Sequence, residues 1–141
     1  MAISILLGTA ELRGTPSSVR GAREFVRMTL GEGHPALDDV TLLVSELVTN
    51  SVAYSDSQEN DGVITLSIGE ISRGRLHVMV TDDGSARSVP RRRAVELMDE
   101  SGRGLVLLQA LARRWGTYPD GTRRVVWFQI GFRKQTAVRV P

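Results

Sequence analysis

The sequence predicts an α/β fold, and three observations carry that prediction. Apolar residues recur at helical spacing in three separate stretches. They alternate at every second position in two neighbouring runs, Ile64, Leu66, Ile68 and Leu76, Val78, Val80. A second pair of short apolar runs flanks Asp120-Gly121, a strong two-residue hairpin signal. A chain of 141 residues can bury one sizeable core but is too short for two ordinary domains. One domain over residues 1–141 is therefore expected, without internal repeats or a linker.

The elements follow in order. The opening run Ile3–Leu7 is too short, and lacks the basic flank, for a signal peptide. Thr15-Pro16 supplies an N-cap and a first-turn proline. Val19, Ala22, Phe25, Val26 and Leu30 then repeat at helical spacing, which predicts a helix over 16–30. The stretch from Gly31 to Pro35 breaks it. Leu37, Val40, Leu43, Val44, Leu47 and Val48 mark a second helix over 36–54, followed by a polar turn to Gly62. The two alternating runs form a hairpin through Arg73-Gly74. Residues 85–101 carry Pro90 and Arg91-Arg92-Arg93 and read as a long loop with at most a short helix at 94–98. Leu105, Leu108, Leu111, Ala112 and Trp115 predict a third helix over 104–115. Asp120-Gly121 then joins strands at Trp115–Tyr118 and Val125–Ile130, and residues 133–141 read as a tail.

Composition excludes several functions. Hydrophobic residues make up 41% and charged residues 24%, as in a soluble globular chain rather than a disordered one. No apolar run is long enough to span a membrane. Absence of cysteine removes disulfides, thiolate catalysis and Cys-based zinc sites. With only His34 and His77, a His-rich metal site is not expected, and a reduced, cytoplasmic setting is. The net charge of +2 hides an asymmetry. Residues 1–60 carry 4 arginines against 8 acids, whereas residues 61–141 carry 14 basic residues against 8 acids. The basic part favours an anionic ligand.

Three motifs carry chemistry. Glu46 and Asn50, four residues apart, lie about 40° apart on one helix face, beside Leu43 and Leu47 of the apolar stripe. A carboxylate there offers a base and an amide oxygen suits Mg²⁺; the same pair also fits the polar edge of any amphipathic helix. Asp82 ends a strand and Gly84 follows in a turn. Such a carboxylate can accept from an adenine amino group, though an Asp-Asp-Gly turn closes many strands. Gly102-Arg103-Gly104-Leu105 opens a helix, where freed backbone N–H groups and the arginine suit phosphate oxygens; a flexible helix start explains the glycines as well. Together they describe a site for a nucleoside triphosphate.

With these motifs in this order, the chain resembles the Bergerat-fold (GHKL) ATPases, and among them the compact anti-sigma-factor serine/threonine kinases. The resemblance covers about residues 12–132. It implies a two-layer sandwich: a mixed, largely antiparallel sheet with the helices on one face, and residues 85–101 as a lid over ATP. It implies a catalytic base at Glu46, a Mg²⁺ ligand at Asn50, adenine recognition by Asp82 and Gly84, and phosphate contacts from Gly102 through Leu105. Gly121-Thr122 matches the late Gly-Thr of the family, with the Thr122 hydroxyl near adenine. Two positions depart from the pattern: Ala86 stands at the second glycine of D-x-G-x-G, and Tyr54 stands where many relatives carry a basic or His residue.

The function implied is an ATP- and Mg²⁺-dependent transferase: a protein kinase acting on an anti-sigma-factor antagonist, and a transcription regulator that binds a sigma factor. The alternative is a nucleotide-gated binder that transfers no phosphate. A homodimer is compatible with either. The absence of a preceding histidine-bearing dimerisation segment argues against a sensor histidine kinase. A DNA-binding domain has only Arg91-Arg92-Arg93 behind it, and that cluster also fits a solvated loop. No direct nucleic-acid or membrane contact is expected.

Overall fold

The computed structural model describes residues 4–54, 62–84 and 103–133. The elements run β1 (Ile5–Arg13), α1 (Ser18–Leu30), α2 (Leu37–Tyr54), β2 (Val63–Ser72), β3 (Arg75–Asp82), α3 (Arg103–Leu111), β4 (Arg114–Asp120) and β5 (Arg123–Gly131). The strands form one five-stranded sheet in the order β1-β2-β3-β5-β4. Ile64, Leu66 and Ile68 of β2, Leu76, Val78 and Val80 of β3, and Val126, Phe128 and Ile130 of β5 point to one face. There they meet Ala22 and Val26 of α1, Leu43, Val44, Leu47 and Val48 of α2, and Leu108 of α3 in a single core. The chain is thus the expected two-layer α/β sandwich.

Among the described residues the sheet is not mixed. Every described strand pair is antiparallel. The crossover through α3 makes β4 run parallel to β3, but β5 returns between them and separates the two. The first strand is also absent from the sequence reading. Its residues Ile5, Leu6 and Leu7 are an unbroken apolar run, 56%, 64% and 41% exposed at a sheet edge, and the register shifts between Leu6 and Gly8. Alternation begins only beyond the bulge, where Ala10 and Leu12 are half-buried between exposed Thr9, Glu11 and Arg13, and a stretch this short carries a weak strand signal. At Gly8 an added Cβ would meet Thr29 Oγ1 at 3.1 Å, so glycine lets α1 lie close on this strand.

Helix boundaries follow their local chemistry. Thr15 is not the N-cap of α1, because its carbonyl accepts from Ser18 N–H at 2.9 Å in a preceding turn and the helix starts at Ser18. Gly31, with φ of 90°, ends α1 as expected, its N–H donating to the Arg27 carbonyl at 2.8 Å. Ahead of α2, His34 Nδ1 accepts from Ala36 N–H at 3.0 Å, and Asp38 and Asp39 fill the first turn, where carboxylates complement the helix dipole. Burial holds the His34 imidazole below the usual 6.5, against an opposing pull from Glu70, and burial likewise lowers His77. The third helix stops at Leu111, four residues before the predicted end. Arg113 N–H already donates to the Gln129 carbonyl at 2.8 Å, so Trp115 packs on the core from β4. The β4–β5 turn is Gly121-Thr122 rather than Asp120-Gly121, since Asp120 still pairs with Arg123. Among the described residues, no helix is long and apolar enough to cross a membrane.

Candidate functional site

The end of β3 carries the most constrained residue of the predicted site. Asp82 is 2% exposed and both carboxylate oxygens are engaged. Gly84 N–H donates to Oδ1 at 2.8 Å, and Arg124 Nη2 donates to Oδ2 in a buried ion pair. Arg124, 3% exposed, lies directly across the β3–β5 ladder from Asp82. The motif reading missed it. Its signal was present: positions 124, 126, 128 and 130 share one face, and the last three are core residues. A charged residue on a buried strand face implies a partner at the facing register.

Gly84 is the second constrained position. Its φ is +70°, and an added Cβ would stand 2.5 Å from the Thr122 carbonyl oxygen. The D-x-G turn and the Gly121-Thr122 turn are therefore in contact, although Thr122 itself is exposed. Gly84→Ala is expected to destabilise the fold by about 1–3 kcal/mol, the range for a non-glycine residue held in a disfavoured backbone region. Urea unfolding measures this, and an unchanged midpoint would mean that the two turns are not in contact. Asp83 braces the same sheet end. It accepts from Val63 N–H at 3.0 Å and pairs with Arg123 at 3.8 Å, and Arg123 also reaches Thr65 Oγ1 at 3.3 Å.

Glu46 and Asn50 are half-buried on α2, flanked by the buried Leu43 and Leu47 as the periodicity required. The helix tolerates its polar residues because Thr41, Ser45 and Thr49 donate to carbonyls four residues earlier, at 2.6–2.7 Å. Asn50 Nδ2 is buried without a hydrogen-bond partner among the described residues. Amide nitrogen and oxygen exchange places on a half-turn, so this buried position is equally available to the oxygen. A neutral oxygen of that kind suits Mg²⁺, and the residue fits the metal expected of it.

The α2 helix packs against both β3 and α3. Arg103 opens α3, with Gly104 buried in its first turn and Leu105 half-buried behind it. Gly102, Ala86 and the expected lid 85–101 lie outside the described residues. The structure thus brings Asp82, Gly84 and Thr122 into contact, and packs the Glu46–Asn50 helix on the elements that carry Asp82 and Gly104.

The sequence pattern of the histidine kinase-like ATPase domain matches residues 12–130, most of the chain. The chain belongs to this family. As a histidine kinase-like ATPase domain it is 32% identical over 91 residues to the serine-protein kinase RsbW of Listeria innocua, a match covering 57% of each chain. Against the serine-protein kinase RsbW of Bacillus subtilis it is 25% identical over 96 residues, covering 61% of this chain and 59% of the relative. These matches span less than two thirds of the relatives' length. A solved structure of the RsbU and RsbW domains of Rv1364c from Mycobacterium tuberculosis superposes with a TM-score of 0.64 at 18% identity, over 94% of this chain and 35% of that one. That likeness establishes the shared fold. The family match spans all four motifs, from Glu46 to Thr122.

Proposed function

We propose that this ATPase domain is a cytoplasmic serine/threonine protein kinase of the anti-sigma-factor type, which phosphorylates an antagonist protein and binds a sigma factor. One observation supports it most: a half-buried carboxylate and an amide with an unpartnered buried atom share α2, which packs on the strand ending in Asp82. That arrangement suits a nucleotide held between a base-recognising carboxylate and a metal-binding amide. The serine-protein kinase relatives point the same way.

In this reading Asp82 accepts from the adenine amino group, and Gly84 lets the backbone approach the ring. The first turn of α3, with Gly104 buried and Arg103 at its start, offers N–H groups to phosphate oxygens. Mg²⁺, held by Asn50 with the phosphates, would neutralise their charge. Glu46 takes the proton of the substrate hydroxyl as its oxygen bonds to the γ-phosphorus and the bond to the β-phosphate oxygen breaks, releasing ADP. Incubation with radiolabelled ATP, Mg²⁺ and candidate antagonists, read for phosphoprotein, tests the activity.

Asn50→Ala is expected to abolish the gain in ATP affinity that Mg²⁺ provides while leaving the fold intact. Calorimetry with and without Mg²⁺ reads this directly, and an undiminished gain would remove the metal from Asn50. The second reading is a nucleotide-gated binder without transferase activity, favoured by Ala86 and Tyr54 at positions where the family pattern differs.

A further inference from the structure

We propose that Arg124 reads the base together with Asp82, forming an acceptor–donor pair for the Watson–Crick edge of adenine. The inference rests on the placement of adenine at Asp82 and adds a residue to that site. Arg124 projects onto the helix-covered face of β5, in register with Asp82, and is 3% exposed. Its Nη2 donates to Asp82 Oδ2, whereas its Nε is buried with no hydrogen-bond partner among the described residues. A buried guanidinium N–H without an acceptor is a costly feature that a structural ion pair alone does not need.

The chemistry of the pair is specific. An ionised carboxylate only accepts and a guanidinium only donates. Adenine presents the complementary order on one edge, its N6 amino group as donor beside N1 as acceptor. Each carboxylate oxygen has two lone pairs, so Asp82 can receive an amino hydrogen while keeping Gly84 N–H and Arg124. The guanidinium is a rigid planar fork. With Nη2 held on Asp82, the Nε–H stays within the same plane beside that carboxylate, where a ring nitrogen next to the amino group would satisfy it. A side chain at position 84 would collide with the Thr122 carbonyl oxygen, so glycine is what lets the turn donate its N–H to Asp82 Oδ1.

Calorimetry on the full chain with three nucleotides tests the proposal without relying on a variant. Wild-type protein is expected to bind 1-deaza-ATP, in which N1 is a C–H group, roughly 10-fold or more weakly than ATP, the loss of one hydrogen bond from a charged donor. Equal affinity for the two overturns the proposal. Purine riboside triphosphate lacks the amino group and isolates Asp82. If it binds as well as ATP, the placement of adenine at Asp82 fails, and this inference with it. If it binds weakly while 1-deaza-ATP matches ATP, only the role of Arg124 fails. Arg124→Lys retains a cation beside Asp82 but loses the fork, and is expected to bind ATP and 1-deaza-ATP alike. A lysine variant that discriminates as strongly as wild type would assign N1 to another donor.

Discussion

Glu46→Gln is expected to leave ATP binding unchanged and to lower phosphoryl transfer by roughly 10²–10⁴-fold, the usual contribution of a general base. The substitution keeps the size and shape of a half-buried side chain on α2 and removes only its capacity to take a proton. Packing on Leu43 and Leu47 is untouched, so the fold and any protein–protein contact should persist. Single-turnover transfer to an antagonist protein, alongside calorimetric ATP titration, separates the two effects. A wild-type chain that binds ATP and the antagonist yet transfers nothing would sink the kinase reading and leave the nucleotide-gated binder. A glutamine variant as active as wild type would remove Glu46 from the chemistry.

Arg124→Leu is expected to destabilise the domain by about 3–5 kcal/mol, because it strands a buried carboxylate without its cation. Asp82 is 2% exposed, so little solvation replaces the lost partner. Against a total stability of about 5–15 kcal/mol for a domain, the loss is large. The double variant Asp82→Leu, Arg124→Leu should recover most of it, since apolar side chains of similar size can replace a buried pair at little net loss. Urea unfolding of the four proteins completes the cycle. A single-variant loss under about 1 kcal/mol would mean that the pair is solvated, as surface pairs are.

Much of this architecture was legible before any coordinates. The periodicities read over 16–30 and 36–54, which fold as helices over 18–30 and 37–54, reflect faces that bury apolar residues against one sheet, and the alternation in β2 and β3 reflects the same core from the other side. Errors fell where local pattern and tertiary environment part company. Strand β1 is a bulged, half-solvated edge, and its large apolar residues Ile5, Leu6 and Leu7 lie before the bulge and do not alternate, which leaves only Ala10 and Leu12 to mark the inner face. Trp115 sits at helical spacing from Leu108 and Leu111, yet the Arg113–Gln129 hydrogen bond has already drawn the chain into the sheet. The expectation of a mixed sheet failed because strand neighbours, unlike strand directions, depend on where a crossover returns.

The sequence by itself determined the family of this domain and the candidate residues of its site. Glu46-x-x-x-Asn50, Asp82-x-Gly84 and the Gly104 helix start are each local, and short spacing on a helix face or at a strand end is readable without a fold. Only the tertiary structure decided what those residues meet. Arg124 reaches Asp82 across 42 residues, and the Thr122 carbonyl closes over Gly84 from a different hairpin. Such pairings have no spacing signature, because they arise from the register of β5 on β3, and that register is set by the whole core pattern of Val126, Phe128 and Ile130 against Leu76, Val78 and Val80.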